Sequence, residues 1–150
     1  MLLCSESARA EEDELLFHLE PAWALARTGE DTRHGAGGEL SASLGLSSSG
    51  WVHFSAGGFH FFDGPTVFEA LSGVVAALDV LRTIPFIEVL GGLEVVDGAV
   101  SPLVRLGVGA DYLITPEISM GAALRFRPLT GSELHRPISA GLRLSWRLEI

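Results

Sequence analysis

Three stretches near the C-terminal end alternate apolar and polar residues without a break, and a period of two is the signature of a β-strand. In 138–150, Ile138, Ala140, Leu142, Leu144, Trp146, Leu148 and Ile150 share one face, and Ser139, Gly141, Arg143, Ser145, Arg147 and Glu149 the other. In 118–127, Ile118, Met120, Ala122, Leu124 and Phe126 alternate with Ser119, Gly121, Ala123, Arg125 and Arg127. In 104–112, Val104, Leu106, Val108, Ala110 and Tyr112 alternate with Arg105, Gly107, Gly109 and Asp111. A helix would scatter these residues around its circumference.

Earlier segments follow the same rule less cleanly. Alternation runs through 17–25, 39–47 and 84–96. Pro21 removes a ladder donor and suggests a bulge. In 51–62, Val52, Phe54 and Ala56 start one face, and Gly57-Gly58 suggests a bulge that shifts the phase to Phe59 and Phe61. Segment 67–80 is ambiguous. Phe68, Leu71, Val75 and Leu78 fit a helix behind a Thr66-x-x-Glu69 capping box. Phe68, Ala70, Val74, Leu78 and Val80 fit a strand, which keeps the hairpin series intact and is preferred. Turn-like connections such as Ser48-Ser49-Gly50, Asp63-Gly64-Pro65, Asp97-Gly98 and Thr130-Gly131 separate the segments. The expected fold is all-β: eight antiparallel strands in an up-and-down transmembrane β-barrel over 15–150.

Composition decides which kind of barrel. Hydrophobic residues make up 47% of the 150, yet no run approaches the roughly 20 apolar residues of a spanning helix. Glycine is 18 of 150, which argues against a helical bundle. The net charge of −9 excludes the basic surface that nucleic acid requires. All ten basic residues are arginines. A soluble sheet would cover its polar face with Lys, Glu, Thr and Gln. Here that face is Gly, Ala and Ser with scattered Arg, Glu and Asp, which suits the narrow lumen of a membrane barrel. The expected lumen charge network is Glu20, Glu39, Glu88, Glu94, Arg105, Asp111, Arg125, Arg127, Arg143, Arg147 and Glu149. It reads as a mostly plugged, charge-paired interior, and alternatively as a charge-lined channel. Trp51, Tyr112, Phe126 and Trp146, toward segment ends, read as membrane-interface aromatics.

Residues 1–14 read as a disordered lead-in or a signal-peptide remnant. Ala8-Arg9-Ala10 before Glu11 has the form of a secretory cleavage site and places the mature start near Glu11, although the apolar stretch that normally precedes such a site is missing. Cys4 is the sole cysteine, so no intramolecular disulfide forms. Glu11 to Glu14 read as a solvated acidic run.

The strand series, the ending Leu142-x-Leu144-x-Trp146-x-Leu148-x-Ile150 and the strand start Pro85-Phe86-Ile87-Glu88 resemble the small bacterial outer-membrane β-barrels of the OmpA transmembrane-domain and OmpX type. The resemblance covers about 15–150 and rests on pattern. It implies a location in the outer membrane of a Gram-negative bacterium, with both termini in the periplasm. It also implies outward loops at 27–38, 63–66, 97–102 and 128–137, and periplasmic turns at 47–50, 81–83 and 114–117. The implied partners are outer-membrane lipid, lipopolysaccharide and, through the C-terminal strand, the barrel assembly machinery. A monomer is expected. Ile150 departs from the aromatic residue that usually ends the family's chains.

Catalytic chemistry is thinly represented. His18, His34, His53, His60 and His135 show no metal-ligand spacing, so neither a metal nor a cofactor is expected. Some family members modify lipid A, and His53 with Ser55 is the one candidate nucleophile pair. A polar lumen pair is the simpler reading. The expected role is therefore structural or surface-interacting and not enzymatic. A barrel-embedded lipid-modifying enzyme and a soluble lipocalin-like carrier of apolar ligands are the alternatives.

Overall fold

The computed structural model describes residues 14–28, 31–78, 80, 82–130 and 135–149. Its eight strands are β1 (Glu14–Thr28), β2 (Asp31–Ser47), β3 (Gly50–Phe61), β4 (Thr66–Ala77), β5 (Thr83–Val96), β6 (Ala99–Leu113), β7 (Ile118–Thr130) and β8 (His135–Glu149). Each pairs antiparallel with its sequence neighbour, and β1 pairs with β8 to close the barrel. The described residues contain no helix. Segment 66–77 is strand, because it pairs with both β3 and β5, whose facing edges a helix there would leave with unsatisfied backbone groups.

The register fixes the geometry. Following paired residues from Leu15 leads through Leu44, Val52, Val74, Val89, Leu106, Phe126 and Ile138. It returns to β1 at Leu25, ten residues further along. With ordinary strand rise and spacing, that stagger tilts the strands by about 40° to the barrel axis. Every residue on the path is apolar and faces outward, so one spiral row of the wall is a continuous aliphatic and aromatic band.

The wall inverts the usual arrangement of a soluble protein. Leu40, Phe54, Phe68, Ile87, Leu93, Val108, Met120, Leu124 and Leu142 are among many large apolar side chains left exposed. An unbroken apolar patch of this extent is rare on a soluble monomer.

Several sequence expectations need correction. The β1 register runs unshifted past Pro21, because the β1–β8 ladder skips Glu20 and Pro21 and resumes at Ala22–Gly141. The missing donor therefore falls in a gap and needs no bulge. The real irregularities lie at Leu25/Arg27, Gly45/Ser47 and Val104/Leu106. No phase shift occurs at Gly57-Gly58, which stay in register with both neighbouring strands. Phe59 and Phe61 point inward as a result. Glu14, placed in the lead-in, opens β1 and is buried; residues 1–13 lie outside the described residues.

The expected long outward loops are largely strand. β1 continues to Thr28 and β2 resumes at Asp31, while β7 continues to Thr130 and β8 resumes at His135. Between β5 and β6 only Asp97 and Gly98 intervene, with φ of 50° and 84°. Two successive positive φ values make the tight turn whose twist matches a hairpin, as the Asp-Gly pair suggests.

Candidate functional site: the barrel interior

Inward side chains sort into three zones between two rims. The terminus-side rim carries the start of β1, the end of β8 and the β2–β3, β4–β5 and β6–β7 turns. The far rim carries the other four connections.

Near the far rim the interior is apolar. Ala24, Ala26, Phe59, Phe61 and Val67 form one buried cluster, and Phe61 is 0% exposed.

The middle zone is ionic. Arg105 is 1% exposed and donates to Glu39, with one contact at 3.0 Å, and to Glu69 at 2.8 Å. Its Nε lies 3.5 Å from Glu88. Arg125 donates to Glu20, with one contact at 2.8 Å, and through Nε to Glu88 at 2.6 Å. Arg127 donates to Glu69 at 2.6 Å and lies 5.1 Å over the Phe59 ring. Among the described residues, the buried arginines all come from β6, β7 and β8, whereas every buried carboxylate except Asp111 comes from β1 to β5. One wall of the lumen is therefore acidic and the facing wall basic, so the pairs form across the lumen. Glu20 sits beside Glu39 in the ladder, and Glu69 beside Glu94. Such like-charge neighbours are tolerable only with cations facing them.

Glycines give these side chains room. Glu88 pairs with Gly107, Phe86 with Gly109 and Asp111 with Gly121. A Cβ at any of these glycines would strike the bulky partner, and one at Gly141 would strike Glu20.

The terminus-side zone mixes polar and apolar groups. Trp51, Val75, Ala77, Phe86 and Ala123 form a second buried cluster. Beside it runs a polar row over four adjacent strands. Ser145 Oγ lies 2.7 Å from His18 Nδ1, Ser43 Oγ lies 3.0 Å from His18 Nε2, and Ser43 Oγ lies 2.7 Å from His53 Nδ1. The Ser43 hydroxyl has one proton, so it donates to one imidazole and accepts from the other. Arg143 donates to Asp111 at 3.3 Å and lies 3.8 Å from the centre of the Phe86 ring, and Arg147 pairs with Glu14. A cavity of about 40 Å³ opens among these groups.

Of the expected network residues, Glu20, Glu39, Glu88, Glu94, Arg105, Asp111, Arg125, Arg127 and Arg143 are buried inside, and Arg147 lies at the terminus-side edge. The side chain of Glu149 lies outside the described residues. Sequence reasoning missed Glu69, which bonds both Arg105 and Arg127. The capping-box reading had claimed it, although alternation with Val67 and Leu71 marked the same face. His18, Ser43, Ser145 and Glu14 were missed too.

Tyr112, Phe126 and Trp146 face outward, but Trp51 is a correction. It is 7% exposed and points inward. It shares the parity of His53 and Ser55, and its ladder partner Gly45 leaves space for the indole. His53 and Ser55 both face the lumen as well. The serine bonded to His53 is Ser43, whereas Ser55 accepts from Arg105 at 3.4 Å. Among the described residues no group of three or more His, Cys, Asp or Glu is placed to hold a metal.

The class defined by this geometry is a closed eight-stranded up-and-down barrel with an apolar exterior and a charged interior. Solved structures with the same fold are small membrane barrels. Neisserial surface protein A superposes with a TM-score of 0.70 at 16% identity, over 91% of this chain and 97% of that one. Ail, the attachment invasion locus protein of Yersinia pestis, superposes at 0.59 and 12% identity, over 92% and 100%. The outer membrane enzyme PagL superposes at 0.57 and 17% identity, over 85% and 98%. No protein-family model matches the chain, and no curated protein matches it in sequence.

Proposed function

We propose that this chain is a monomeric outer-membrane β-barrel protein of a Gram-negative bacterium, with a structural or surface-interaction role and a lumen closed to ions. The observation that carries the reading is the contrast between the two faces of one sheet. Large apolar side chains stand exposed outside, while Arg105, Arg125 and Arg127 are paired with glutamates inside. Charges in a narrow interior are retained when each has a counter-ion, and three arginines reaching across the lumen leave little open section. The apolar far-rim cluster supports the same reading. The likeness to a neisserial surface protein and to an attachment protein favours display of the far rim, with both termini in the periplasm. The partners proposed are outer-membrane lipid and lipopolysaccharide around the wall. The barrel assembly machinery would engage β8 through its outward Leu142, Leu144, Trp146 and Leu148.

An enzymatic role is not proposed, although PagL shares the fold. His53 and Ser55 both face the lumen without bonding each other: His53 is bonded to Ser43, and Ser55 accepts from Arg105. A soluble carrier would need an apolar cavity within and polar side chains without, the reverse of this arrangement.

Three measurements test the proposal. Protein refolded in detergent should migrate differently on a gel before and after boiling, as closed barrels do, and should sediment with membranes. Single-channel recording in planar bilayers should show rare or small openings. Steady large conductance defeats the closed lumen, and solubility without detergent defeats the membrane reading.

A further inference from the structure

Two histidines stand on the apolar wall. His34 on β2 and His60 on β3 both face outward near the far rim, and His60 Nδ1 lies 3.0 Å from Thr66 Oγ1 on β4. Ala36 is the ladder partner of His60, so His34 and His60 are diagonal neighbours on one face. The His34 ring packs on Trp23, 5.9 Å between centroids, and a Trp23–Phe62 contact of 5.4 Å screens it from His60. Imidazoles on a surface in contact with hydrocarbon are costly and mark a site with a polar occupant.

The wall beside them is hollowed. One open groove of about 650 Å³ runs over Ala36, Ala56 and Gly58 to His60, Thr66 and Phe68. A second, of about 870 Å³, runs the other way over Ala36, Ala140 and Ala122 toward Val108. The grooves share Ala36 and Gly37, and His60 sits directly across the ladder from Ala36. Elsewhere the wall carries large side chains such as Ile87, Val89 and Leu93.

We propose that this face binds a single diacyl glycerophospholipid with an anionic headgroup. One acyl chain lies in each groove, and the phosphate sits at the junction, accepting a hydrogen bond from His60 Nε2 while the Thr66 hydroxyl donates to Nδ1 and holds the ring. Two apolar channels that diverge from one polar point match a lipid with two chains and one phosphate. They fit a many-chained lipid less well, and a second barrel would need ridges to fill concave channels. The inference rests on the outer-membrane reading, because the grooves must face a bilayer.

The test uses the full chain refolded into vesicles of phosphatidylethanolamine and phosphatidylglycerol, then extracted in mild detergent for native mass spectrometry. One retained phosphatidylglycerol per barrel is expected. His60→Ala with Thr66→Val removes the polar junction, and Ala36→Leu with Ala56→Leu fills the grooves. Each double variant should retain about tenfold less phosphatidylglycerol. Leu93→Ala, on the unhollowed side, should retain as much as the wild type. Equal retention in all variants, no retention in the wild type, replacement by lipid A in a mixed vesicle, or a dimer peak overturns the proposal. A gel of the same samples before and after boiling separates the two readings: absence of a folded band defeats the membrane barrel itself, whereas a folded barrel without lipid defeats only the site.

Discussion

Glu88 and Gly107 face one another across the β5–β6 ladder, and the space the glycine leaves is the space the carboxylate fills. A Cβ at 107 would lie 2.5 Å from Glu88 Cγ. Gly107→Ala must push Glu88 off the positions where it meets Arg105 and Arg125. The expected loss is about 1–3 kcal/mol, the usual result of overpacking an interior. Gly91→Ala is the control, because the nearest atom to a Cβ there is 4.0 Å away. Urea unfolding in lipid vesicles, followed by tryptophan fluorescence, should separate the two variants. Equal midpoints would refute the packing role of Gly107.

Arg105 is the hub of the middle zone. It engages Glu39, Glu69 and Glu88, contributed by three strands other than its own. Arg105→Met leaves buried Glu39 with only a 3.8 Å contact to Arg125, while Glu69 keeps Arg127 and Glu88 keeps Arg125. Breaking a buried pair in this way costs about 3–5 kcal/mol. Adding Glu39→Gln removes one carboxylate for the one cation lost and should restore part of that loss. A double variant as unstable as Arg105→Met alone would mean the arginine acts through packing and not charge. The measurement is again the urea midpoint.

How much of this arrangement was legible in the chain depends on which interactions set it. The strands β6 to β8 stand out because local alternation, set by burial on one side, is sufficient to define them. Their arginines fall on the inner face by parity alone. The partners of those arginines do not show, because Arg105 meets Glu39 and Glu69 only through the stagger that brings distant strands to one level. Trp51 misleads because a tryptophan near a turn suits a membrane interface or a lumen floor equally, and only parity with His53 separates them. The lengths of β1, β2, β7 and β8 were underread for a related reason. Beyond the apolar band, stretches such as Asp31-Thr32-Arg33 have no one-sided burial to impose alternation, although the ladder continues through them.

The three tryptophans give a direct reading of which way the faces point. Trp23 and Trp146 are outward, and Trp51 is inward. Variants retaining a single tryptophan, with phenylalanine at the other two positions, should differ in vesicles of brominated lipid. Fluorescence from Trp23 and Trp146 should be strongly quenched, whereas Trp51 should keep most of its intensity. Strong quenching of Trp51 would place it on the wall and reverse the register of β3.

Gly98 tests the turn chemistry. Its φ of 84° lies in the left-handed region, and no atom stands within 4 Å of a Cβ there. Gly98→Ala therefore meets no clash, and its cost is conformational only, about 1–2 kcal/mol. The refolding yield and the urea midpoint should both fall modestly. A neutral substitution would mean that the β5–β6 turn relaxes to another type without disturbing the ladder.

Ser43 joins two buried imidazoles, with Oγ 3.0 Å from His18 Nε2 and 2.7 Å from His53 Nδ1. Ser43→Ala removes the shared partner and leaves a polar nitrogen on each ring unsatisfied. A buried polar atom without a partner costs about 1–3 kcal/mol, so the variant should be destabilised by an amount in or above that range. Ser43→Thr keeps the hydroxyl and isolates the effect of added bulk. Ser72→Ala supplies the outward comparison: Ser72 is exposed on β4, and its loss should change stability by less than about 0.5 kcal/mol. Two-dimensional NMR of the histidine side chains adds a readout that packing alone does not move. In the wild type the serine bridge couples the tautomers of His18 and His53, so substitution at 43 should shift the ring nitrogen signals of both. A shift confined to His53 would break the row at Ser43 and reduce it to a single hydrogen-bonded pair.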